Sequence, residues 1–174
     1  SHLWGYPYGC VEQTSSGMLA WIGLRNFADL LPRQNVPSAD HRLAIGKGID
    51  RLYRMQTPSG GLGYWPGARN PMFYGSAYAA MVLARAGTSG FKVPSMMTRN
   101  LASYLSAQLR KKDKHHPAAV CMALYALATM DKPEPAYHEK IYEKREQLGR
   151  TARGLLALAI HRGNGPRETA ETLL

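Results

Sequence analysis

Cysteine is scarce in this chain of 174 residues, which has only two, Cys10 and Cys121, far apart. Two distant cysteines exclude a disulfide framework. No Cys/His spacing matches a zinc site, and no phosphate-cradling or dinucleotide-binding glycine pattern occurs, so no metal or cofactor is expected. Long apolar runs are missing too. Nothing approaches the roughly 20 consecutive apolar residues that cross a bilayer, so the expectation is no direct membrane insertion. No basic-then-apolar leader opens the chain, and a segment of a longer protein would lack one in any case.

Acidic residues are few, 12 against 22 Lys and Arg, which leaves a formal net charge of +10. Such a balance invites a nucleic-acid reading. The basic residues are scattered, however, as in Arg25, Arg33, Arg42, Lys47, Arg51, Arg54 and Arg69. The single dense run, "RKKDKHH" from Arg110 to His116, lacks interleaved aromatics and any nucleic-acid motif. It reads as a solvated loop, and no nucleic-acid partner is expected.

What is present is an ordinary globular composition, 45% hydrophobic and 20% charged, of one domain's length. Helical patterns alternate with Pro/Gly loops. Gln13 to Leu31 is stopped by Pro32, and Ser38 can cap a helix carrying Ile45, Ile49, Leu52 and Tyr53 at helical spacing. The loop "TPSGGLGYWPGARNP" follows, with room for a small hairpin around "GGLGYWPG". Gly75 to Ala86, Pro117 to Met130 and Thr151 to Ile160 are apolar nearly all round. Between them, Pro94 to Leu109 is one-sided through Met97, Leu101, Tyr104, Leu105 and Leu109, and Tyr137 to Gln147 through Tyr137, Ile141 and Leu148. Pro166 to Leu174 begins another helix.

A helix apolar on every side is buried on every side, whereas a single stripe covers it from outside. Alternating inner and outer helices describe an all-α fold, an α/α toroid of stacked helical hairpins. The unit is about 38 residues, which gives an incomplete ring of about four hairpins. If the inner helices begin at Gln13, Gly75, Pro117 and Thr151 and run parallel, their N-termini gather on one face.

Cys121, in "AAVCMALYALA", reads as a core residue. Cys10 does not. It sits in "GYPYGCVEQTSS", after the turn signals Pro7 and Gly9 and three residues before Gln13. One helical turn brings the Cys10 sulfur beside the Gln13 side-chain carbonyl. That pair can close an internal thioester, the sulfur displacing ammonia from the amide. A thioester is a strong acyl donor and must be kept from water. Tyr6, Tyr8, Trp65 and Tyr74, with Trp4, Tyr64 and Phe73, offer aromatic bulk for a shield. A helix N-terminus also favours thiolate character.

The block "YPYGCVEQTSSGML" resembles the thioester-bearing domain of the alpha-macroglobulin and complement family, especially its bacterial members. "MQTPSGGLGYWPG", "YGSAYAAMVLARAG" and "ALYALATMDKPEPAYHEKIYEKREQLGRTARGLLALAI" resemble later segments of that domain in the same order. The resemblance covers essentially the whole chain, 1–174. It implies a protease-trapping module, periplasmic or envelope-associated, that is not an enzyme because one turnover consumes the thioester. In the family, cleavage of a bait region elsewhere exposes the bond, and a nucleophile on the attacking protease is acylated. The implied partners are target proteases and the other domains of a larger parent.

Carried over, Cys10 is the thiol, Gln13 the acyl donor, and Glu12 a motif residue expected to hold the turn by hydrogen bonding. Complement proteins that prefer hydroxyl targets use a histidine far downstream. His115 and His116 fall at a comparable separation, on what looks like a shorter loop, and are candidates for acyl transfer. The family domain has about six hairpins, so this chain is expected to be a segment of a longer toroid. With neighbouring domains absent, Cys10 is expected mostly as a free thiol, and the cut flank as an exposed apolar edge that self-associates.

Three other readings stay open. "QTPSGGLGYW" loosely resembles the Gln-Gly-aromatic repeats of toroidal terpene cyclases and prenyltransferases, but their acidic clusters and zinc ligands are missing. A thiol protease using Cys10 with His115 or His116 leaves Gln13 unexplained. A non-catalytic helical-repeat binding module leaves the Cys-Gln pair unexplained.

Overall fold

Proline sets where several helices start. In the computed structural model, which describes residues 9–26, 38–111 and 114–174, Pro117 and Pro135 open helices at their first turns. Pro94 and Pro166 sit immediately before two others. The ring presets φ for the helix, and the missing N–H is one that would have no intrahelical partner there.

Among the described residues the helices are α1 (Val11–Asn26), α2 (Ser38–Arg54), α3 (Phe73–Thr88), α4 (Ser95–Leu109), α5 (Pro117–Thr129), α6 (Pro135–Tyr142), α7 (Arg150–Arg162) and α8 (Arg167–Glu171). The four expected inner helices begin within two residues of the positions read from the sequence. They pack in series, α1 on α3, α3 on α5 and α5 on α7. Helices α2, α4, α6 and α8 lie against this row, and no comparable contact returns from α7 to α1 among the described residues. The arrangement is all-helical and of α/α toroid type, as expected. The anticipated hairpin shrinks to one antiparallel bridge between Gln56 and Leu62.

Small side chains let the inner helices approach closely. Ala77, Ala80, Ala123, Ala126, Ala152 and Ala159 are all buried in the shared core. A Cβ added to Gly75 would lie 2.7 Å from Val11 Cγ1, so α1 and α3 meet almost backbone to side chain there. Leu83, Leu105, Leu124, Leu127 and Leu156 fill the remaining space. Each stabilises the fold by about 1.5–3 kcal/mol relative to exposure.

Three inner helices end in the same way. After α3, α5 and α7 the chain enters the left-handed region at Gly90, Asp131 and Asn164, with φ of 84°, 57° and 56°. The next residue's N–H then reaches back: Phe91 to Ala86, Lys132 to Leu127 and Gly165 to Ile160, at 3.0, 2.9 and 2.8 Å. Each stop satisfies carbonyls that the helix leaves open and turns the chain toward its outer helix.

Several expectations are corrected. Tyr53 is 50% exposed rather than on the buried stripe of α2. The helix through Tyr137 ends at Tyr142, and Arg145–Gln147 is a separate 3-10 turn that still delivers Leu148 to the core. Helix α7 is not buried all round, because Leu158 is 45% exposed on the side where no described helix covers it. The end of the predicted first helix, beyond Asn26, falls outside the described residues.

Candidate functional site

The glycine loop 55–72 is clamped between α2, α3 and α4. Gly63 N–H donates to the Met55 carbonyl at 2.9 Å, and Met72 N–H to the Leu62 carbonyl at 2.8 Å. Leu62 N–H donates to the buried Ser76 hydroxyl oxygen at 2.8 Å. Gln56 Nε2 donates to the Gly60 and Met97 carbonyls, tying the loop to α4. Gly60 adopts φ +90°, and a Cβ there would meet the Asn100 carbonyl at 2.4 Å, so this close approach requires glycine.

The clamped loop delivers Tyr64 to the start of α1. Its carbonyl accepts the Val11 N–H at 3.1 Å. Arg51, from α2, donates through Nε to the Gly9 carbonyl at 2.8 Å. Two neighbouring elements therefore fix the chain around Cys10.

Cys10 is the N-cap residue and Gln13 the third residue of α1. Cys10 N–H donates to Gln13 Oε1 at 3.1 Å, and Gln13 N–H donates to Cys10 Sγ at 3.4 Å. This is the reciprocal pattern of a capping box, with a thiol where serine or threonine ordinarily stands. Cys10 is buried and free of any disulfide, while Gln13 is exposed. The sulfur thus lies on the inside of the turn and the amide on the outside, one hydrogen-bonded ring apart.

Glu12 lies in the first turn of α1, where its charge complements the helix dipole. The turn itself is held by the Cys10–Gln13 pair. The neighbouring Cys10 side chain, above all, with desolvation and the Glu12 charge, raises the Tyr64 phenol above its ordinary range. Sequence reasoning counted Tyr64 only as bulk. Its place two residues after the clamped Leu62 was the available signal. Nothing in the sequence pattern points to Arg51.

The remaining candidates are placed unequally. Trp65, 44% exposed, stands edge-on to Tyr64 with centroids 5.3 Å apart. Tyr74, 47% exposed, lies beside Tyr78, whose hydroxyl is 3.0 Å from that of Ser16 on α1. Tyr6 and Tyr8 lie outside the described residues. His115 stacks on Phe73 at 3.7 Å, and its Nε2 is 3.2 Å from Gln108 Oε1. Phe73 opens α3 two residues before Gly75, so His115 is brought to the end of the fold where α1 and α3 meet. Burial, with Lys114 and Lys111 nearby, lowers its pKa. His116 caps α5, its Nδ1 accepting the Ala118 N–H at 3.3 Å.

Cys121 is buried in α5, with its thiol pushed up to about 12 by burial. No group of three or more His, Cys, Asp or Glu side chains is arranged to hold a metal among the described residues. No described helix is long and apolar enough to cross a membrane.

No family model matches the chain. The alpha-2-macroglobulin of Escherichia coli (strain K12) is 36% identical over 95 residues, which is 53% of this chain and 6% of that protein. Native E. coli alpha-2-macroglobulin, in a crystal structure from domain MG7 to the C-terminus, superposes with a TM-score of 0.81 at 24% identity. It covers 99% of this chain, and the match takes in 29% of that one. Salmonella alpha-2-macroglobulin reacted with methylamine gives a TM-score of 0.80 at 25% identity, over 99% of this chain and 12% of that one. The E. coli protein activated by porcine elastase gives 0.83 at 24% identity, over 97% and 16%. The chain thus spans a small part of the proteins it matches. Its sequence over more than half its length, and its fold over nearly all of it, make it a homologue of bacterial alpha-2-macroglobulin.

Proposed function

We propose that this chain is the thioester segment of a macroglobulin-type protease inhibitor, in which Cys10 and Gln13 close an internal thioester. The observation that carries the reading is the reciprocal hydrogen bonding of that pair. A serine would cap α1 better than a cysteine, so capping alone does not account for the thiol. A thiol at that position is accounted for by chemistry on the neighbouring amide.

To form the bond, Cys10 Sγ attacks the Gln13 side-chain carbon and ammonia leaves. In capture, an amine of the attacking protease adds to the same carbon. The carbon–sulfur bond breaks, the amide forms, and Cys10 is released as a thiol. The Cys10 N–H on Gln13 Oε1 is already placed to stabilise the oxyanion of both steps, and the N-terminus of α1 adds partial positive charge. One capture consumes the site, which makes the module a trap rather than an enzyme. Its partners are target proteases and the other domains of a larger parent, in the periplasm or cell envelope.

The relatives support this reading by what was done to them: methylamine reacted with the Salmonella protein, and elastase activated that of E. coli. Within the site, His115 is the better acyl-transfer candidate of the two histidines, since its stacking on Phe73 brings it to the end of the fold where α1 and α3 meet. The aromatic shield of the thioester is assigned to Trp65 and Tyr74, which stand beside Tyr64 and Tyr78, together with Tyr6 and Tyr8. The test is methylamine incorporation at Gln13 during folding, which captures a thioester before water can hydrolyse it, by the natural sequence and by Cys10→Ser. Incorporation by the first alone supports the reading, and incorporation by both or neither overturns it.

A further inference from the structure

We infer that Arg51 is a positioning residue for the acyl chemistry at Gln13, acting through the Gly9–Cys10 peptide; the inference deepens the thioester reading and rests on it. One peptide group joins the two side chains. Its carbonyl, on Gly9, accepts the Arg51 Nε–H at 2.8 Å. Its N–H, on Cys10, donates to Gln13 Oε1 at 3.1 Å. The guanidinium at one end of this peptide therefore aims the donor at the other end toward the carbonyl that is attacked. A cation on the peptide oxygen also polarises the group and strengthens its N–H as a donor. Gly9 and Cys10 are buried, so little solvent competes for the bond.

The neighbouring contacts leave this role to Arg51. Thr14 Oγ1 reaches the Gly9 carbonyl only at 3.4 Å. The next backbone groups are committed elsewhere, the Cys10 carbonyl to Thr14 N–H and the Val11 N–H to the Tyr64 carbonyl. Arg51 and Arg54 both stand in the last turn of α2, where either charge complements the helix dipole. Arg54 is exposed, whereas Arg51 is partly buried and turns its Nε to a carbonyl of another segment.

The Gln13 carbon is attacked first by Cys10 Sγ, with loss of ammonia, and then by an amine, with loss of the thiol. In each attack the carbonyl π pair moves onto Oε1 and returns as the leaving group departs. Arg51 exchanges no proton in either step. It keeps the Cys10 N–H directed at the oxygen on which charge gathers.

Side-chain length makes the test specific. Glutamine places an N–H at the position of Arg51 Nε without the charge, and methionine places a methyl there without a donor. The initial rate of methylamine incorporation at Gln13 during folding is expected to fall about ten- to a hundredfold in Arg51→Met, and less in Arg51→Gln. Arg54→Met removes the same charge from the same turn and is expected to match the natural sequence. The second readout is the Cys10 amide signal in NMR spectra of the chain labelled only at cysteine, where two cysteines give two signals that Cys10→Ser assigns. It is recorded in a Gln13→Glu background, which keeps the side-chain oxygen but forms no thioester. There the Cys10 proton is expected to move upfield in Arg51→Gln and further in Arg51→Met, while the signal of buried Cys121 stays fixed and reports the intact core. A slower rate with an unmoved Cys10 signal would make Arg51 a structural prop, and an unchanged rate in Arg51→Met would remove it from the mechanism; either overturns the inference. Should Arg51→Met not fold, Arg51→Gln alone must show both effects, and failure of either overturns the inference. A natural sequence that takes up no methylamine is a separate outcome, which overturns the thioester reading and this inference with it.

Discussion

Cys10 and Gln13 cap each other: the backbone N–H of each donates to the side chain of the other, at 3.1 and 3.4 Å. The same two bonds that start α1 also hold a thiol and an amide as neighbours. Local helix physics and the proposed acyl chemistry therefore use one geometry, and they can be separated by substitution.

Cys10→Ser keeps a good N-cap and is expected to leave stability equal or higher, while Cys10→Ala costs about 1 kcal/mol. Both are expected to abolish methylamine incorporation at Gln13. Urea denaturation reads the first effect and peptide mass the second. A Cys10→Ser chain that still incorporates methylamine would separate the chemistry from the thiol.

Gly75→Ala places a methyl 2.7 Å from Val11 Cγ1 and is expected to destabilise the fold by about 1–3 kcal/mol. Val11→Ala makes room for it. The double variant is therefore expected to lose less stability than the sum of the two singles, as a urea double-mutant cycle can measure. Additive losses would mean that α1 and α3 do not meet at this pair.

Asp131 holds a left-handed conformation that glycine adopts without a Cβ penalty. Asp131→Gly is expected to raise stability by up to about 1 kcal/mol, measured by thermal or urea unfolding. A loss of stability would mean that the Asp131 side chain contributes to the stop.

His138 is buried, its ring beside Gly163, with its Nε2 unpartnered. Burial lowers its pKa below 6.5, and the Glu134 charge opposes this only in part. The unfolded chain takes up a proton near 6.5 that the native state resists, so this contribution is full above that pH and is lost as pH falls. His115, lowered in the same direction, adds the same sign. His138→Gln is expected to flatten the decline in stability below pH 6.5. An unchanged slope would assign that decline to other groups.

The inner helices were legible because Ala, Leu and Val on all sides of Gly75 to Ala86 and Pro117 to Met130 leave no solvent face. The outer stripe of Met97, Leu101, Tyr104, Leu105 and Leu109 was legible as a 3.6-residue period, and all five are buried. The break after Tyr142 was not legible. The 3-10 turn keeps Leu148 directed inward, so the periodicity survives although the helix does not. Tyr53 and Leu158 were misplaced because burial there depends on which neighbours pack alongside. At the site, the i to i+3 spacing of Cys10 and Gln13 was readable, and their capping exchange follows from it. The Tyr64 carbonyl and the Arg51 guanidinium reach Val11 and Gly9 from far along the chain, and no local pattern encodes such a meeting.

The central claim is that the Cys10 sulfur and the Gln13 carbonyl form a bond, and residue 13 keeps the record. An amide that has passed through a thioester in the presence of methylamine carries an added methyl group, whereas one that has not stays unchanged. The most direct measurement is peptide mass mapping of the chain folded in methylamine, alongside Cys10→Ser. The account predicts a Gln13 peptide one methylene heavier in the natural sequence, with Cys10 a free thiol and Gln13 unchanged in the variant. An unmodified Gln13 in both would contradict it and leave the pair as a helix cap.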